Sequence, residues 1–403
     1  MRKTLPLIFP RQVAAVSETW TTKSLLAKLI SYPTVSADPN LGLITFCADL
    51  LETAGAQVTL IPDETGKKAN LFATIGPKDR AGVLLSGHTD VVPVAGQNWT
   101  VPPFEMTESD GKLFGRGTTD MKGFVASAVI CAINASKKEL QTPLHLALSY
   151  DEEIGCIGVR SLVDMLATAP FRPQFCIVGE PTLMKVATGH KGKTAARVTT
   201  TGHAAHSALA PTALNAIHMA CDMIGFLRKL QDTLADDGTQ DADYDIPYST
   251  VHVGTINGGS VLNIVPDNAE FMFEIRHLAG DNPDVIIAQI EAHRDQYLAE
   301  IKPRFANANV TIEITDSYPS LSTDANSGAV GIVESLLKSN HTIKVAFGTE
   351  GGLFSSRLDI PTVVCGPGSM DQGHKPDEFI EITQLDACDT MLDALLARLV
   401  TGL

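Results

Sequence analysis

The chain has 403 residues, with 31 Lys and Arg against 46 Asp and Glu, and so a formal charge of −15. That acidity excludes a surface built for nucleic acid or an anionic membrane, since both need a dense positive field. With 44% hydrophobic and 19% charged residues the composition is that of a folded protein, not a disordered one. The length predicts two or three domains, at roughly 150 residues each.

The chain opens MRKTLPLIF, but this apolar stretch is broken by Pro6 and followed by Pro10 and Arg11, so it is not expected to be a secretory leader. The longest uncharged apolar segment, 124–136, is too short to span a bilayer. The seven cysteines are scattered, with no C-x-x-C pair. That is the pattern of free thiols in a reducing compartment. A soluble, cytoplasmic protein is expected.

In chain order, the first half alternates helices and short apolar strands. Helices are expected over 22–30, 42–54, 121–135 and 159–167, and strands over 56–62, 70–75, 82–85, 144–149 and 175–178. Continuous apolar strands between helices predict an α/β fold with a mainly parallel sheet and helices on both faces. The pattern then changes to strand 194–202, helix 213–234, strands 249–256 and 270–277, helix 284–301 and strand 310–315. That β-α-β-β-α-β order predicts an inserted ferredoxin-like unit. The aspartate-rich stretch 232–248 reads as a solvated loop. Helix 329–338, strand 362–365 and helix 383–399 return to the first idiom. The expected division is a discontinuous catalytic domain, 1–192 and 319–403, around an inserted domain at 193–318.

Open α/β sheets bind ligands beyond the carboxyl ends of their strands. Here those ends carry a recurrent chemistry: His88-Thr89-Asp90 after one strand, Glu152-Glu153 after another, Glu180 after a third, and His374 downstream of a fourth. Asp120 precedes the uncharged helix, where by itself it would be a helix cap. His88, Asp120, Glu153, Glu180 and His374 together supply N and O ligands suited to zinc, cobalt or manganese. Three ligand carboxylates set −3 against +4 for two divalent ions, leaving about +1 for a bridging hydroxide to neutralise. Asp90 is spaced to accept the second ring N–H of His88. Glu152 is the spare carboxylate, placed to act as a general base in amide hydrolysis.

GHTDVVP, GRGTTDMKG, DEEIGCIG, VGEPT and GPGSMDQGHKPDEF together resemble the dinuclear zinc peptidases and deacylases. That family includes succinyl-diaminopimelate desuccinylases, aminoacylases and glutamate carboxypeptidases. The resemblance runs from about residue 22 to 399, and the segments FGTEGGLF and CIVGEPTLMKVATGHKGK are most similar to its acetylornithine-deacetylating branch. It implies that His88 and Glu180 bind one metal, Glu153 and His374 the other, and that Asp120 bridges them. Zinc is implied as the metal, with cobalt as the alternative, and Glu152 as the proton acceptor. The substrate implied is a small N-acyl amino acid, N2-acetyl-L-ornithine in this branch, cleaved to L-ornithine and acetate in arginine biosynthesis. Related acyl-amino acids, succinyl-diaminopimelate and dipeptides are the alternative substrates.

The resemblance also implies a homodimer formed through the inserted lid domain, in which a histidine reaches the partner's site. His206 fits that register, with His203 one turn away as the alternative. Asn263 and Arg276 match positions that hold a substrate carboxylate. Glu350 is expected, from charge complementarity alone, to recognise a cationic side chain. Two rivals are weaker. Gly115-x-Gly117 and Gly366-x-Gly368 do not complete a dinucleotide fingerprint, because their sixth positions are Asp120 and Asp371. A metal-binding relative without catalysis would have no use for Glu152.

Overall fold

The computed structural model describes residues 20–403, so the opening stretch read above as no leader lies outside the described residues. The largest sheet has nine strands. Its centre is four parallel strands in the order Leu144–Ser149, Val83–His88, Phe175–Pro181 and Thr362–Gly366. Gln57–Pro62 and Ala69–Ile75 extend one side antiparallel. Val186–His190 extends the other, carrying Thr342–Val345 and Leu321–Ser322.

Both faces of this sheet are covered, and period-two alternation sorts the side chains. Val83, Leu85, Leu144, Leu146, Phe175 and Ile177 point into one core with helices Thr22–Ile30, Leu41–Thr53, Gly123–Ala135 and Ile382–Thr401. Leu84, Ala147, Cys176, Val178 and Val364 point into a second core, with helices Val159–Ala167 and Gly351–Leu358. This two-sided burial is why the strands read as unbroken apolar runs. All seven cysteines are free thiols. Among the described residues no helix is long and apolar enough to cross a membrane.

A separate four-stranded antiparallel sheet runs Thr250–Gly258, Asn268–His277, Gly192–Thr201 and Asn309–Tyr318. Helices Ala216–Asp237 and Pro283–Ile301 pack on it around their own core, with Phe271, Ile275, Met219 and Ile290 at its centre. The β-α-β-β-α-β order is as expected from the sequence. The helix expected over 213–234 begins later and ends later, because Asn215 caps it and Ser207–Thr212 forms a 3₁₀ turn before it. The stretch 232–248 is therefore not all loop. Its first residues continue the helix, and Tyr244 is buried between Lys191 and Lys344, with Lys344 also 2.7 Å from Asp241.

Close approach of chain segments fixes one glycine beside the strand ends. A Cβ on Gly179 would lie 1.9 Å from the Phe124 ring. Gly179→Ala is therefore expected to cost about 3 kcal/mol through overpacking, seen as a lower urea midpoint with an unchanged slope.

Candidate active site

Because the four central strands are parallel, their carboxyl ends open at one edge. His88 ends its strand, Glu180 sits at the end of Phe175–Pro181, and Glu152 and Glu153 follow Leu144–Ser149 after a turn at Asp151. Asp120 lies in an irregular turn, Thr118–Lys122, just ahead of the helix that starts at Gly123. It is not a regular helix cap. His374 comes from the loop after Thr362–Gly366.

The five expected ligands converge. Asp120 places one oxygen 3.1 Å from His88 Nε2 and the other 3.0 Å from His374 Nε2. His88 Nε2 is also 3.5 Å from Glu180 Oε1, and His374 Nε2 is 3.0 Å from Glu153 Oε2. Two clusters, His88 with Glu152 and Glu180, and His88 with Asp120 and Glu153, are compact enough to hold a metal ion. The other ring nitrogen of His88 faces the Asp90 carbonyl oxygen at 2.9 Å and its carboxylate at 3.5 Å. Asp90 in turn accepts from the Ser36 hydroxyl and from the backbone N–H groups of Glu152 and Glu153. One carboxylate thus orients the histidine and the acidic pair together.

The electrostatics of this cluster are those of a site short of positive charge. Burial and then the crowding carboxylates raise Glu180 well above the ordinary range. Burial pushes Glu152 up to about 8 and Glu153 up to about 7, in both cases against the pull of His88. Burial disfavours charge on His88, but Glu180, Asp120 and Asp90 outweigh it and hold the ring protonated well above its usual range. Hydrogen bonds to Asp120 and Glu153 lift His374 to about 10. Asp120 itself is lowered, since the two histidines overcome its burial. The Oε1 atom of Glu153 is buried without a hydrogen-bond partner. An orphaned carboxylate oxygen among protons that crowd a buried acidic cluster fits divalent cations, which would replace those protons.

The remaining expected residues fall in three places. Arg276 lines the same cleft, half-buried, with Nη1 2.9 Å from the Tyr318 hydroxyl and Nε 3.1 Å from Glu274. His206 and Asn263 lie together and do not line the cleft; both are exposed at a short ladder, beside which Ser207 N–H donates to the Asn263 carbonyl. His203 is also exposed, its ring 5.9 Å from that of Phe305. Glu350 is buried next to the site, its charge felt by Glu152. It is 1% exposed beneath the sheet edge, where its carboxylate accepts hydroxyls from Ser86 and Ser149, and it does not line the cleft. It immediately precedes the helix Gly351–Leu358. The cleft also contains Lys193, Tyr318, Phe347 and Met370, which sequence reasoning missed. Lys193, Tyr318 and Phe347 do not follow a central parallel strand, and Met370, in the loop after Thr362–Gly366, carries neither a His nor a carboxylate to mark it.

The model of peptidase family M20/M25/M40 matches residues 84–398. The chain belongs to that family, whose members hydrolyse amide bonds. It is 33% identical over 379 residues to an acetylornithine deacetylase of Proteus mirabilis, covering 92% of this chain and 95% of that protein. A second acetylornithine deacetylase, of Pasteurella multocida, is 32% identical over 94% of this chain and 98% of its own. Among solved structures, an M20 family metallo-carboxypeptidase from Sulfolobus solfataricus superposes with a TM-score of 0.75 at 18% identity, over 95% of this chain and 99% of that one. Human carnosine dipeptidase 1 superposes with a TM-score of 0.72 at 16% identity, over 94% and 97%. These likenesses extend across both sheets, so the fold is that of the family.

Proposed function

We propose that the protein is a dinuclear zinc hydrolase that removes the acetyl group from N2-acetyl-L-ornithine, giving L-ornithine and acetate for arginine biosynthesis in the cytoplasm. The observation that carries the metal reading is Asp120, with one carboxylate oxygen facing each histidine. His88 and Glu180 would hold one ion, Glu153 and His374 the other, with Asp120 shared. Zinc, or cobalt in its place, would supply polarisation of the amide carbonyl and acidification of water.

The rest falls to the chain's own side chains. Glu152 takes a proton from the attacking water and returns it to the leaving amine nitrogen. Asp90 fixes the ring of His88. Arg276, held by Tyr318 and Glu274, pairs with the substrate carboxylate. We divide the chain at 193 and 318, and read the inserted unit as the contact of a homodimer. In that dimer His206 steadies the oxyanion in the other copy's cleft and Asn263 beside it binds substrate there. Their exposure, and their absence from the lining of their own cleft, support this reading. The substrate assignment is supported by the deacetylase relatives.

The test is hydrolysis by chelator-stripped protein as zinc or cobalt is returned, on acetylornithine, succinyl-diaminopimelate and N-acetyl-methionine. Activity should rise with metal and favour acetylornithine by at least about tenfold, a difference of about 1.4 kcal/mol in transition-state binding. Preference for another substrate would overturn the substrate, and activity indifferent to metal would overturn the site.

A further inference from the structure

We infer that Glu378, Arg116 and Gln97 form a brace, buried at Glu378 and Arg116 and half-buried at Gln97, that sets the spacing of Asp120 and His374, and that they are positioning residues for metal binding. This rests on the reading of Asp120 and His374 as metal ligands. Those two residues are far apart in sequence and sit on separate loops, so nothing local holds them at 3.0 Å. Something else has to fix the two loops against each other.

Glu378 does so at one end. It is 1% exposed, and its Oε1 accepts three backbone N–H groups, from Gly117 at 3.1 Å, Thr119 at 2.9 Å and Asp120 at 3.1 Å. The turn that carries Asp120 is wrapped around this one oxygen. Gly117 has φ +86°, and a Cβ there would lie 2.7 Å from Val91, so the wrap depends on glycine at that point. The other oxygen of Glu378 accepts from Arg116 Nη1 at 2.6 Å. Arg116 is also 1% exposed, its guanidinium 5.0 Å from the centre of the Trp99 ring.

The brace continues to the second ligand. Arg116 Nη2 donates to Gln97 Oε1 at 2.6 Å, and Gln97 Nε2 donates to the backbone carbonyl of His374 at 2.9 Å. Trp99 Nε1 donates to the same Gln97 oxygen at 3.0 Å, which fixes the direction of the amide. A small sheet of Thr107–Ser109, Lys112–Phe114 and Phe379–Glu381 pairs Phe114 with Phe379 and brings both loops to one place. A continuous line of hydrogen bonds therefore runs from the amide of Asp120 through Glu378, Arg116 and Gln97 to His374. Removing outer partners of metal ligands typically costs about 10- to 100-fold in metal affinity.

The experiment measures zinc affinity of the full chain by competition with a chromophoric chelator, together with the visible absorption spectrum of the cobalt-loaded protein. Glu378→Gln keeps the shape but loses the charge that Arg116 and three amides require. It should weaken zinc binding by about 10- to 100-fold and shift the cobalt bands. Gln97→Glu still accepts from Arg116 and Trp99 but cannot donate to His374. It should weaken zinc binding by about tenfold while the melting temperature of the stripped protein stays that of wild type. A folded Glu378→Gln with wild-type affinity and spectrum would overturn the inference. If that variant does not fold, Gln97→Glu decides alone, and wild-type zinc affinity there overturns it. A wild type that binds two zinc ions while the variants are unaffected sinks only the brace. A wild type that binds none sinks the ligand reading and the brace together.

Discussion

Glu152→Gln is expected to lower kcat for amide hydrolysis by about 10³-fold, with KM little changed and two zinc ions still bound. The side chain follows the strand Leu144–Ser149, and its backbone N–H is pinned to Asp90 Oδ1 at 3.1 Å. Burial and the neighbouring Glu153, Glu350 and Asp90 push its carboxyl up to about 8 in the metal-free protein, against His88. A base serves best when its pKa is near the working pH, and the cations that would neutralise the cluster would bring this one down towards that range. The Cys156 thiol donates to its Oε1 at 3.3 Å. Glu152 also falls within a cluster compact enough to hold a metal, with His88 and Glu180. Zinc content therefore separates the two roles. A variant that loses kcat and keeps its zinc marks a base, whereas one that loses zinc in step with activity marks a ligand and overturns this assignment.

The parallel core was legible because both of its faces are buried, which leaves apolar runs such as LHLALS and FCIV with no alternation to obscure them. The candidate ligands were legible because the same topology puts each strand's end at one edge. Val186–His190, Thr342–Val345 and the helix Gly351–Leu358 were not seen. The helix opens with two glycines, which disfavour it, and it forms because Leu353, Phe354 and Leu358 are buried in the second core. Tertiary contact, not local propensity, makes it a helix. The brace through Arg116 and Glu378 left no local trace either, since its partners are distant in sequence and no spacing rule joins them. The cleft cations Arg276 and Lys193 come from the inserted sheet. Arg276 was reached only by resemblance, and Lys193 not at all.

Stripping the metals is expected to make the protein less stable as pH rises, with zinc reversing the trend. Glu153 and Glu152 are raised in the folded protein from 4.5 to about 7 and about 8, and His374 from 6.5 to about 10. At these groups the folded state therefore holds more protons than the unfolded chain across this range, and their contribution to stability falls with pH. The contribution of the two glutamates is complete below about 4.5 and is lost as pH passes through 7 and 8. That of His374 is complete below 6.5 and is lost towards 10. Asp120 and Lys122 shift the other way: the window of Asp120 lies below 3.8, while burial lowers Lys122 from 10.5 to about 7 and offsets part of the loss above pH 7. Zinc competes for the same oxygens and nitrogens, so its uptake releases protons and its affinity grows with pH. Calorimetric melting at pH 5.5, 7 and 8.5 should show the stripped protein losing stability stepwise. The gap to the zinc-loaded protein should widen to about 10 °C at the highest pH, as expected for free zinc near a thousand times its dissociation constant. A stripped protein whose melting temperature is flat or rises over that interval would mean that the carboxylates are not crowded as the geometry indicates, and the case for two cations at Asp120 would fail with them.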